Sequence, residues 1–148
     1  MKIINVTRTC DKDARTCTVH IISSLGEFEA TAHCHEEDNM YMGVGYTLAT
    51  QKAFMKLHQQ LLKNLKKEYR GVCKFLSTVE SIVHQNNVNG QEVLDIANSQ
   101  KKLLEKNINE LTLQVQREKD GYAEYAEKTI EEQKYVDKLY EKVLNSRK

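Results

Sequence analysis

The sequence predicts an α+β protein: a three-stranded antiparallel sheet covered by one helix, followed by a long helical, coiled-coil tail. Three observations carry this. Residues 1–43 alternate apolar and polar side chains with a period of two. Residues 44–68 switch to a helical period. An apolar seam spaced by alternating steps of three and four then runs from Leu94 to Val143. Composition agrees: the 148-residue chain has no Pro, only 6 Gly and 29% charged residues. Such a chain favours long exposed helices. These patterns divide the chain into a βββα domain over residues 1–70 and a helical tail over 71–148.

The first strand spans Ile3 to Thr9, with Ile4 and Val6 alternating with polar neighbours. The second, Thr16 to Ile22, puts Cys17, Val19 and Ile21 on one face and Thr18, His20 and Ile22 on the other. In the third, Phe28, Ala30, Ala32 and Cys34 alternate with Glu29, Thr31, His33 and His35. Asp11-Lys12-Asp13 and Ser23-Ser24-Leu25-Gly26 are turn signals. Their shortness implies a meander. A lone sheet of this size needs a cover. The helix from Val44 to Glu68 supplies one through Leu48, Phe54, Leu57, Leu61, Leu62 and Leu65. Gly71 is the expected stop.

A second helix is expected over Val72–Gln85, with Phe75, Leu76, Val79, Ile82 and Val83 at helical spacing. Asn86-Asn87-Val88-Asn89-Gly90 breaks it. The seam of the last helix includes Leu104, Ile108, Leu111, Val115, Val136 and Leu139, the residues expected to drive oligomerisation. Its register across Gly121 favours one continuous helix. Two alternatives are a fold-back at Lys119-Asp120-Gly121 and packing of the seam on residues 72–85 of the same chain.

Charge narrows the function. Residues 1–70 hold ten Lys/Arg against eight Asp/Glu, and the remainder twelve against thirteen. That balance leaves double-stranded nucleic-acid binding weak. No stretch approaches the roughly 20 apolar residues of a membrane span. The first residues turn polar too soon for a signal peptide. The expected location is the cytoplasm, with the four cysteines as thiols.

His33-Cys34-His35, with Cys10, Cys17 and His20 nearby, invites comparison with a zinc site. Strand alternation sends His33 and His35 to the face opposite Cys34, and no Cys-x-x-Cys is present. No metal and no cofactor are therefore expected. Cys34 and His35 diverge in the same way, so no nucleophile–base pair emerges. Gly43-Val44-Gly45 lacks the rest of a dinucleotide fingerprint. The chain is expected not to be an enzyme. The start of the covering helix offers free N–H groups and a positive dipole end to an anion. Lys52 and Lys56 lie one turn apart beyond it, with His35 and Tyr41 close before it.

The run Ala30-Thr31-Ala32-His33-Cys34-His35-Glu36-Glu37-Asp38 is followed by Gly45-Tyr46-Thr47-Leu48-Ala49-Thr50-Gln51-Lys52-Ala53-Phe54-Met55-Lys56. It resembles small phage and prophage proteins whose domain is similar to the double-stranded RNA-binding fold. These include the anti-Thoeris sponges. The likeness covers residues 1–70, with Glu36 in place of a Pro and Lys52 in place of an Arg. It implies an oligomer without catalysis that sequesters a cyclic ADP-ribose isomer and so blocks a bacterial immune signal. Lys52 and Lys56 would bind the phosphates, and His35 and Tyr41 would bond or stack. The rival expectation is an oligomeric, anti-CRISPR-type inhibitor or adaptor that binds a host defence protein through the acidic loop or the helices.

Overall fold

The computed structural model describes residues 1–34, 42–86 and 90–146. Strands β1 (Ile3–Asp11), β2 (Thr16–Ser23) and β3 (Gly26–His33) are followed by helices α1 (Met42–Asn86) and α2 (Gln91–Ser146). The sheet is an antiparallel meander in the order β1-β2-β3.

Local chemistry closes both hairpins. Asp11 Oδ1 accepts hydrogen bonds from the backbone N–H groups of Asp13 at 3.0 Å and Ala14 at 3.1 Å. This carboxylate-stabilised turn hands the chain to Arg15, whose φ of 55° is left-handed. In the second hairpin Ser23 Oγ donates to Gly26 O at 2.9 Å and accepts from Leu25 N at 3.2 Å. Gly26 sits at φ 127°, which a side chain rarely tolerates.

The chain divides into two compact units, Met1–Leu57 with Gln116–Lys148, and His58–Val115. The core of the first joins Val19 and Ile21 of β2, Ala30 and Ala32 of β3, and Ala49, Ala53 and Leu57 of α1. Four alanines at one interface let helix and sheet approach closely, and Ile21, Leu57 and Val19 supply most of the bulk. Val6, Phe28, Leu48 and Phe54 pack around them. The expected inner face of β2 is thus observed, since Cys17, Val19 and Ile21 are all buried. Ile4 departs from expectation at 65% exposure. The register slips between Ile3 and Asn5, so the bulge turns Ile4 away from the face that Val6 keeps.

In the second unit Leu76, Ala97, Leu104, Leu111 and Val115 are buried. Tyr69 donates its hydroxyl to Glu105 Oε1 at 2.8 Å, tying α1 to α2. That bond, with Cys73 second, pushes the Tyr69 pKa up to about 12. Val83 lies against Gly90, where an added Cβ would meet its Cγ2 at 2.6 Å.

The expected helix end at Gly71 is not there: α1 runs through it to Asn86. One glycine costs a helix about 1 kcal/mol. Half-buried Leu65, Tyr69, Val72, Val79 and Val83, with buried Leu76, carry one packed stripe across it. Gly121 is likewise interior to the continuous α2. A Cβ at either glycine would meet nothing within 4 Å. Gly71→Ala and Gly121→Ala should therefore each raise stability by about 0.5–1 kcal/mol, read as a higher urea midpoint at unchanged slope.

The long seam is largely filled by the chain itself. Its positions from Leu94 to Thr129 are buried or half-buried, whereas Glu132, Val136, Leu139 and Val143 are exposed. No helix among the described residues is long and apolar enough to cross a membrane.

Candidate functional site

Among the described residues strand β3 is an edge of the sheet, and one row of its backbone groups lacks a strand partner there. Two lysines of α1 reach this edge. Lys56 Nζ donates to Glu29 O at 2.6 Å, and Lys52 Nζ donates to Thr31 O at 3.4 Å. The i, i+4 spacing stacks both stems on one helix face, and the alternation of β3 puts Glu29 and Thr31 carbonyls on the same side. Lys52 Nζ also lies 5.7 Å from the centre of the Tyr122 ring of α2, in cation–π range. Among the described residues neither ammonium pairs with a carboxylate, whereas the His20 ring meets the Glu27 carboxylate at 3.2 Å. Lys52 is half-buried and Lys56 exposed. The result is two positive groups, pinned by carbonyls that neutralise no charge, beside an aromatic ring. Each ammonium has three donors, so it can also serve an anionic ligand.

The helix start is elsewhere. α1 begins at Met42, ten residues before Lys52. That separation is about 15 Å along the axis. The free N–H groups of the first turn and the lysine pair are therefore separate features. His35 and Tyr41 lie outside the described residues, as do Glu36, Glu37 and Asp38. Of the residues expected to drive oligomerisation, Leu104, Leu111 and Val115 are buried in the chain and Ile108 is half-buried. Val136 and Leu139 stand 50% and 44% exposed.

A second cluster forms where the strands meet the start of α1. Cys10 and Cys17 are register partners across β1 and β2, with their Sγ atoms 3.3 Å apart. Arg15 Nη2 donates to Cys34 Sγ at 3.3 Å, and Arg15 O accepts from Cys34 N at 2.9 Å. Gly45 lies directly on Cys17: an added Cβ would sit 2.5 Å from its Sγ. Burial pushes the Cys17 pKa up to about 11, reinforced by the hydrogen bond with Cys10 and by the nearby Cys10 and Cys34. The Tyr46 pKa is raised as well, by burial first and then by the nearby Cys10 and Cys17, with Arg8 opposing. Among the described residues no three His, Cys, Asp or Glu side chains are grouped to hold a metal ion.

Sequence reasoning found the lysines but missed Tyr122, which its own seam spacing marks as inward-facing. It also missed the pairing of Cys10 with Cys17, which follows once the hairpin loop length sets the register. No family model matches the chain, and no curated protein or solved structure matches it.

Proposed function

We propose that this chain is a non-catalytic binding protein that sequesters a small phosphorylated ligand of the cyclic-nucleotide type. In this reading it serves a phage or prophage in the bacterial cytoplasm by removing an immune signal. One observation carries the reading: Lys52 and Lys56 hold two ammonium groups along the β3 edge without a carboxylate partner among the described residues, with Tyr122 beside Lys52. A phosphodiester can take charge-assisted hydrogen bonds from both, and a base or ribose can lie against the ring. The likeness of residues 30–56 to the sponge proteins supports the same ligand class, with His35 and Tyr41 as further contacts.

Calorimetric titration with cyclic ADP-ribose isomers and cyclic dinucleotides tests this. Losing one charge-assisted contact to phosphate costs on the order of 1.5–3 kcal/mol, or about tenfold to a hundredfold in affinity. Lys52→Gln should show that loss, and Lys56→Gln a smaller one, because its ammonium is more exposed to solvent. Absence of binding by the unaltered protein, or affinities indifferent to both changes, would discard the ligand.

A second reading, an oligomeric inhibitor or adaptor that binds a host defence protein, draws on the end of α2. Tyr135, Val136, Leu139, Tyr140, Val143 and Leu144 are between 44% and 66% exposed there. Either reading includes self-association through this stretch. Val136→Lys with Leu139→Lys should lower the assembly state in sedimentation while helicity is kept, because both positions are solvent-exposed. Leu111→Lys buries a charge inside the chain and should instead unfold its unit. An unaltered protein that sediments as a monomer at tens of micromolar would remove self-association from both readings.

A further inference from the structure

We propose that Cys10 and Cys17 form a redox-active dithiol that closes reversibly into a disulfide between β1 and β2, by exchange with a small-molecule disulfide of the glutathione type. Three observations converge on this pair. The two residues are direct register partners in adjacent antiparallel strands. Opposed Cα atoms in such a ladder are about 4.5–5.5 Å apart, inside the range a disulfide spans. Their sulfurs are already 3.3 Å apart as free thiols. Closing to a bond of about 2.05 Å needs an approach of about 1.3 Å, within reach of small side-chain rotations. The inference does not depend on the ligand reading.

Exposure assigns the order of events. Cys10 is half-buried and Cys17 is buried at 2% exposure. Cys10 is therefore the thiol that an outside disulfide reaches. Its thiolate attacks one sulfur of the oxidant, forming a mixed disulfide and releasing one thiolate of the oxidant. Cys17 then loses its proton to solvent base and attacks Cys10 Sγ, expelling the second thiolate. The protein loses two electrons and two protons, and one small disulfide becomes two thiols. Burial keeps the Cys17 thiol harder to ionise than usual, so the second step is slowed at neutral pH and closure accelerates as pH rises.

The pair sits where its state is felt by the fold. Gly45 of α1 lies over Cys17 Sγ with no room for a side chain between them, so a shift of that sulfur is felt where the sheet meets the first turns of α1. Cys34 is occupied differently, since its Sγ accepts from Arg15.

The test uses the full-length protein in glutathione buffers graded from reduced to oxidised, quenched by alkylation. Digestion combines trypsin, which cuts after Lys12 and Arg15, with a glutamate-specific protease, which cuts after Glu27 and Glu29. Cys10, Cys17 and Cys34 then fall in three separate peptides. The expected product is a Cys10–Cys17 cross-linked pair that forms with one midpoint and is reversed by reductant. In Cys10→Ser, Cys17 should remain reduced across the series, and this exposed-side change keeps the test open where Cys17→Ser fails to fold. A persistent glutathione adduct on Cys10 with Cys17 still reduced would overturn the proposal. So would cross-links made instead to Cys34 or Cys73, or thiols that stay reduced throughout.

Discussion

Leu57→Ala should lower the stability of the sheet-bearing unit by about 2–5 kcal/mol. Leu57 is 0% exposed and shares its cluster with four alanines. Alanines have no longer side chain that can swing into the space left behind, so the cavity stays open and its full cost is felt. The core around it is small: among the described residues its largest fully buried side chains are Ile21, Leu57, Val19 and Cys17. Natural domains are stable by about 5–15 kcal/mol, so the change removes a large fraction of the total. Urea unfolding followed by circular dichroism reads it. Leu103→Ala, at 58% exposure on α2, should stay within about 0.5 kcal/mol and serves as the matched control. Equal losses for the two leucines would mean that the core is not where the burial places it.

Gly45→Ala should destabilise by about 1–3 kcal/mol, although alanine is the better helix former. The added Cβ would lie 2.5 Å from Cys17 Sγ and 3.0 Å from Cys17 Cβ. Cys17 has nowhere to retreat, being 2% exposed on the inner face of the central strand. Two residues earlier, a Cβ at Gly43 would meet nothing within 4 Å, so Gly43→Ala should be neutral or mildly stabilising. The opposite signs of two glycine-to-alanine changes in the same turns of α1 are the signature to look for. Adding Cys17→Ala to Gly45→Ala should recover part of the loss, giving a coupling of about 0.5–1.5 kcal/mol in a double-mutant cycle. Additive effects would mean that the two residues do not touch.

These residues also mark how far the sequence could be read. Alternation over Cys17, Val19 and Ile21 and over Phe28, Ala30 and Ala32 names the inner face of the sheet, because a strand's side-chain period depends on backbone geometry alone. The two turn signals set a meander, and hairpin loop lengths set its register. Helical spacing around Leu57, and the seam from Leu94, announce the two long helices. These are local or periodic properties, and one chain contains all that they need.

Tertiary packing decided the rest. Whether Gly71 stops a helix turns on about 1 kcal/mol of propensity against the burial of the stripe around Leu76, and only packing supplies the second quantity. A heptad seam says that something covers it but not what, since Leu111 would look the same facing its own chain or another copy. Ala49 and Ala53 read as weakly apolar positions until the sheet comes close enough to bury both completely. That closeness is what puts Lys52 and Lys56 within reach of the β3 carbonyls and Gly45 on the Cys17 sulfur. Periodicity tells a side chain which way to face, but hydrogen bonds and contacts fall off within an ångström or so, and the distance between elements is set by every residue at their interface together.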